Sequence, residues 1–164
     1  MSFPEISLSG SAQDLGSAYG LAAKGKIESN VEYYRRLLGW KDHRLEEELD
    51  RLSVSLRCCP QVVDIFEFSA ALADSASISR DDALMLQVSS ELFNQLSVSE
   101  CTVLADRVNG VLGQTWDWSK HALDNSVVLR VEHNGRHFIS FAEAGQLAKV
   151  GVNGSGIGLA LSIL

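Results

Sequence analysis

The hydrophobic period of this chain changes near residue 97, and that change bounds what it can fold into. Before it, apolar residues recur at the three-and-four spacing of helices; after it come short alternating runs separated by tight turns. Asn109-Gly110 and Asn134-Gly135 each sit between β-prone runs, and Asn-Gly favours hairpins because both residues accept positive φ. The first predicts a hairpin of 102–108 with 111–118, the second of 126–133 with 136–142. A third turn, Asn153-Gly154-Ser155-Gly156, joins 147–152 to 157–164. Six strands in three hairpins make an antiparallel β meander, and the chain as a whole reads as α+β.

The helical part opens with a short strand, where Ile6 and Leu8 alternate with Ser7 and Ser9. Ser11 with Asp14 predicts a capping box. From Leu15 through Tyr19, Ala22, Ala23, Ile27, Val31, Tyr34 and Leu38 runs one apolar face of a long helix ending near Gly39. Gly16, Gly20 and Gly25 lie inside it; each costs about 1 kcal/mol relative to Ala, which points to close approach by another backbone. Leu45, Leu49, Leu52 and Leu56 form a second apolar face, with Glu46, Glu47 and Glu48 turned outward. Pro60 restarts the chain, Val62, Ile65, Phe66 and Ser69 continue a third helix, and Ser79 with Asp82 caps a fourth.

Charge separates the same two parts. Residues 1–100 hold 9 Lys and Arg against 16 Asp and Glu, whereas residues 101–164 hold five of each. No basic patch exists to hold phosphates, so nucleic acid is not an expected partner. No apolar run reaches the roughly 18 residues of a membrane span. Residues 1–5 lack the basic start and apolar core of a signal peptide, which favours the cytoplasm. The chain ends inside an apolar run, 157–164, which predicts the N-terminal part of a longer protein.

Cys101 stands where helix gives way to strand. A lone strand cysteine is commonly a small buried hydrophobe; as a nucleophile it requires a base or a lowered pKa. Four histidines could serve, but none has a spacing that fixes it near Cys101: His133 and His137 flank the second hairpin turn, His43 opens a helix and His121 falls in a loop. Asp117, between Trp116 and Trp118, lies on the strand paired with that of Cys101, so the hairpin can return it to the cysteine. Strand alternation turns the two tryptophans to the opposite face, where they would either pack the core or line an acyl pocket. Cys58-Cys59 lacks the spacer of a zinc knuckle, and no phosphate loop or dinucleotide fingerprint is present. Nothing in the sequence points to a metal or an organic cofactor.

Four blocks, in order, carry a family resemblance. They are Ser9-Gly10-Ser11-Ala12-Gln13-Asp14-Leu15-Gly16 with Gly20; Asp81-Asp82-Ala83-Leu84-Met85-Leu86-Gln87; Cys101-Thr102 followed by Asn109-Gly110 and Gly113-Gln114-Thr115-Trp116-Asp117; and Glu143-Ala144-Gly145 followed by Lys149-Val150-Gly151-Val152-Asn153-Gly154-Ser155-Gly156. Together they resemble the acyl-coenzyme A:6-aminopenicillanic acid acyltransferase-like proteins, the C45 peptidase family of N-terminal-nucleophile (Ntn) hydrolases. The resemblance covers nearly the whole chain.

It implies the N-terminal part of a four-layer αββα sandwich, with 1–100 as a helical segment and 101–164 as the start of the nucleophile-bearing chain. By it, the precursor cuts itself at Glu100–Cys101, and Cys101 becomes the nucleophile with its own freed α-amino group as base. Asp117 orients the surroundings, and Trp116, Trp118 and Asn153 are candidate substrate contacts. The substrate would be a linear amide or acyl thioester, resolved by water or an amine. The remaining strands, outer helices and catalytic groups would follow residue 164. Two positions depart from the family: Glu100 where glycine is frequent, and Ser162 where asparagine is frequent. A catalytically inactive remnant that binds a partner along its last strand is the alternative reading, and a conventional Cys–His hydrolase is a weaker one.

Overall fold

The computed structural model describes residues 2–39, 42–57, 63–93, 101–116 and 119–161. Strand β1 (Glu5–Ser9) runs into helix α1 (Ala12–Leu38) through the expected capping box. Ser11 Oγ accepts from the Asp14 amide at 3.2 Å, and Asp14 Oδ2 accepts from the Ser11 amide at 2.9 Å. At the other end Gly39 adopts φ +59°, which lets its N–H return to the Arg35 carbonyl. The helix is kinked at Ala23 (φ −120°, ψ 15°).

Two of the three α1 glycines face helix α3 (Val63–Ala76). A Cβ on Gly16 would collide with the Phe68 carbonyl, and one on Gly20 would stand 2.9 Å from the Leu72 carbonyl and 2.7 Å from Ser75 Cβ. Gly25 differs: nothing lies within 4 Å of its Cβ position, so close approach does not explain it. The contrast is testable by thermal unfolding. Gly25→Ala is expected to stabilise by about 0.5–1 kcal/mol through helix propensity, while Gly20→Ala destabilises by about 1–3 kcal/mol through overpacking.

The close approach also corrects the predicted face of α3. Ile65 and Phe66 are only half-buried, whereas Phe68, Ser69, Ala71, Leu72, Ala73 and Ala76 are buried. Small side chains define this contact because the backbones nearly touch. Helix α2 (Asp42–Arg57) buries Leu45 and Leu49 and leaves Glu46 and Glu47 exposed, as expected. Helix α4 (Arg80–Gln87) begins at Ser79, whose Oγ accepts from the Asp82 amide at 3.0 Å. Asp82 Oδ1 binds Arg35 Nε at 2.5 Å and so ties α4 to α1. A short α5 (Ser89–Phe93) follows. Pro60, Val62 and Cys58-Cys59 lie outside the described residues.

The strands are β2 (Thr102–Asp106), β3 (Val111–Thr115), β4 (Ser126–His133), β5 (Arg136–Glu143), β6 (Val150–Asn153) and β7 (Gly158–Leu159). All three predicted hairpins form, but not as one meander. Strands β4 to β7 are antiparallel neighbours, β1 adds to β4 in parallel, and β2–β3 forms a separate two-stranded sheet. Both residues of Asn134-Gly135 have positive φ, +51° and +70°. In the β2–β3 turn only Gly110 does. There Asp106 organises a four-residue loop instead, accepting from the amides of Val108 (2.9 Å) and Asn109 (3.1 Å) and from Asn109 Nδ2 (2.7 Å). Those bonds, the Asn109 side chain first, hold the Asp106 carboxyl below its usual range.

One face of the five-stranded sheet carries Leu8, Val127, Leu129 and Val131 into a common core with the helices. The opposite face holds Val128, Ile139, Phe141, Val150 and Val152, and the β2–β3 hairpin lies over part of it. Leu112 Cδ2 would stand 2.8 Å from a Cβ on Gly158, and the Leu161 amide donates to Gln114 Oε1 at 2.8 Å. The result is a helical layer, a central sheet and a two-stranded flap. Between flap and sheet runs an open cleft of about 730 Å³.

Candidate active site

Cys101 is half-buried, immediately before β2, and forms no disulfide among the described residues. The register pairs Thr102 with Thr115, and the Thr102 amide donates to Thr115 Oγ1 at 3.0 Å. Extending that register by one residue sets Trp116 opposite Cys101. The expected return of the second strand to the cysteine is therefore present as far as Trp116. Glu100, Asp117 and Trp118 lie outside the described residues.

Trp116 anchors the open end of the flap on the sheet. Its ring meets Phe141 edge-on, centroids 5.7 Å apart at 88°, and Phe141 in turn packs edge-on against Phe3 at 4.8 Å. Lys149 Nζ stands 4.5 Å from the centre of the Trp116 ring. Asn153 is elsewhere: it pairs with Phe138, three residues along β6 from Val150, or roughly 10 Å along the strand. Its Oδ1 accepts from the amides of Ser155 (3.0 Å) and Ile157 (2.9 Å), so that oxygen holds its own turn together.

The most heavily bonded polar locus is segment 143–147, at the end of β5, and residue-level reasoning gave its partners no such role. Glu143 is fully buried, and its Oε1 accepts from the Tyr34 hydroxyl at 2.6 Å and from Lys149 Nζ at 2.5 Å. Burial first, and then the Glu143 carboxylate, keep the Tyr34 hydroxyl protonated. Asn30 donates to the Ala144 carbonyl at 2.8 Å, and Tyr19 accepts from the Gly145 amide at 3.0 Å. Gln87 donates to the Gly145 carbonyl and accepts from the Leu147 amide. Gly145 has φ +97° and presses against Leu86, so no side chain fits there. Glu143 Oε2 and Gln146 Oε1 remain buried without a hydrogen-bond partner.

The histidines fall apart spatially. His121 is in a short helix, α6 (Lys120–Asp124), rather than a loop; it stacks on Tyr33 at 4.2 Å and meets Asn30 Oδ1 at 2.9 Å. His133 Nδ1 bonds the Gly10 carbonyl at 2.9 Å and Nε2 reaches Asp64 at 3.1 Å. The carbonyl first and Asp64 second raise its pKa above the usual value. The protonated ring therefore favours the fold below about pH 6.5, and that contribution is lost as pH rises through the raised value. The stability difference between wild type and His133→Ala in denaturant melts should shrink as pH rises above about 6.5; a constant difference refutes this. Among the described residues, no three His, Cys, Asp or Glu side chains converge as metal ligands would, and no helix is long and apolar enough to cross a membrane.

Comparison with curated proteins finds the acyl-coenzyme A:6-aminopenicillanic-acid-acyltransferase 40 kDa form of Emericella nidulans, 28% identical over 162 residues, covering 93% of this chain. The chain is a distant relative of that acyltransferase. The match spans 44% of the longer protein, so this chain covers less than half its relative's length. No family model matches the chain. The relationship agrees with the resemblance carried by the four sequence blocks, two of which, at Cys101 and at Glu143, meet physically through Trp116 and Lys149.

Proposed function

We propose that this chain carries the nucleophile of an acyltransferase-like cysteine enzyme of the Ntn type. The observation that supports it best is the position of Cys101: first residue before the flap, opposite Trp116 when the β2–β3 register is extended by one residue, in a chain related to an acyltransferase. The Cys101 thiol adds to the Glu100 carbonyl and displaces its own amide nitrogen. Water then hydrolyses the resulting thioester, which leaves a Glu100 carboxylate and frees the cysteine's thiol and α-amino group. That amine, with a reference pKa near 8, accepts the thiol proton. The thiolate adds to the carbonyl of a linear amide or acyl thioester, the amine or thiol leaves with the proton, and the acyl-cysteine is resolved by water or by an amine acceptor. Asp117 orients the new terminus, and Trp116 and Trp118 border the substrate. No histidine is required, consistent with the scattered placement of His121 and His133.

The related acyltransferase is more than twice as long as the stretch matched here, and in a protein of that length further segments would complete the site. The apolar side chains left exposed on flap and sheet, Leu104, Val111, Val152 and Leu159, also suit the second reading, a partner-binding remnant. Denaturing mass spectrometry on protein expressed from the whole gene separates the two. Two fragments divided before Cys101 are expected; a single intact chain in folded protein refutes the self-activating mechanism and favours the remnant.

A further inference from the structure

Lys149 is the charged group that this chemistry leaves without a task. It lies between β5 and β6 with its side chain only 18% exposed, and its ammonium has two partners at once. Glu143 Oε1 holds it at 2.5 Å, and the Trp116 ring centre is 4.5 Å away. Glu143 is held in turn by Tyr34 from α1. A buried ion pair is a weak source of stability, because desolvation of both charges offsets their attraction. Here the pair also leaves Glu143 Oε2 unmatched, and an unmatched buried acceptor needs an explanation other than stability.

What the arrangement does supply is position. Tyr34 fixes the carboxylate, the carboxylate fixes the ammonium, and the ammonium and the Phe141 edge fix the indole. A cation over an indole face is attracted by the ring quadrupole, most strongly when shielded from water. Extending the β2–β3 register by one residue sets Trp116 opposite Cys101, and Asp117 follows it in the sequence. We propose that Lys149, held by Glu143, is a positioning residue that clamps Trp116 and thereby sets the open end of the flap next to Cys101. Its consequence for chemistry rests on the reading of Cys101 as nucleophile; its consequence for Trp116 does not.

Two readouts keep those apart, both on the full-length protein. In a background with Trp40, Trp118 and any tryptophan outside residues 1–164 replaced by Phe, acrylamide quenching reports the shielding of Trp116 alone. With all tryptophans present, mass spectrometry follows cleavage before Cys101, which needs no added substrate. Lys149→Met keeps the apolar stem and removes the charge. It should raise the quenching constant at least twofold and slow cleavage at least tenfold, with Lys149→Arg restoring most of both. Glu143→Gln, which leaves Tyr34 an acceptor, should move both in the same direction and serves if Lys149→Met does not fold. Unchanged quenching in the folded variants overturns the clamp. Raised quenching with wild-type cleavage overturns the positioning role. If wild type does not cleave, the nucleophile reading fails, and quenching still decides whether Lys149 holds Trp116.

Discussion

Replacing Cys101 by Ala should abolish chain cleavage and every acyl-transfer activity of the full-length protein, a loss of more than about 10³-fold, while leaving the fold intact. The size follows from the chemistry: alanine offers no nucleophile, and neither water nor a neighbouring hydroxyl can take the thiol's place in forming an acyl-enzyme. The structural cost is small because Cys101 is half-buried at a strand's edge rather than in the core. Cys101→Ser is the informative companion. It keeps an attacking group at the same atom position with a much higher pKa, so cleavage should persist at a rate between wild type and Cys101→Ala. Chain cleavage by mass spectrometry and melting temperature by circular dichroism read the two effects separately. A Cys101→Ala protein that is cleaved before residue 101 would end the mechanism. One that neither cleaves nor folds would instead place Cys101 among structural residues.

The contrast between what could be read from the sequence and what could not follows the range of the forces involved. Helix ends were readable because caps act locally: Ser11 and Asp14 satisfy each other's amides three residues apart, and Gly39 alone supplies the left-handed turn. The β4–β5 hairpin was readable for the same reason, since Asn134-Gly135 encodes its own geometry. The same dipeptide at 109–110 marked the right place by a different means, because Asp106 captures the loop amides first. Strand β1 gave no sign of its partner: parallel pairing with β4 joins Ile6 to Leu129, and no local signal spans that separation. The polar heart of the molecule was the least visible. Tyr34 reads as one more apolar position on α1, and its hydroxyl matters only because folding delivers Glu143 to it. His121 reads as a loop residue until Ser119 caps the short helix that carries it. Cys101 stood out by its place where helix gives way to strand, the segment of Glu143 only through the resemblance, and the fold then joined them through Trp116 and Lys149.

Glu143→Ala should lower stability by about 3 kcal/mol, the low end of the range for breaking a buried ion pair, which for a domain of this size moves the melting temperature by roughly 6–12 °C. The argument turns on what is left behind. Without the carboxylate, the Tyr34 hydroxyl loses its 2.6 Å acceptor in a buried position, and the Lys149 ammonium loses its 2.5 Å partner. The lysine can recover part of its hydration, because its side chain is not wholly enclosed; the tyrosine cannot turn to water without opening the contact between α1 and segment 143–147. Tyr34→Phe removes one donor and leaves Lys149 paired, so it should cost less, about 1–2 kcal/mol. The ordering of these two variants tests whether the carboxylate or the hydroxyl is the centre of the cluster. A decisive form is the pair Glu143→Met with Lys149→Met. If the ion pair contributes little net stability, as desolvation predicts, the double variant should be more stable than Glu143→Ala by about 1 kcal/mol or more, roughly the worth of the apolar surface it restores. If the double variant is also unable to cleave before Cys101, then stability and chemistry part company at this site: the charges are kept for where they put Trp116, not for how tightly they hold the fold.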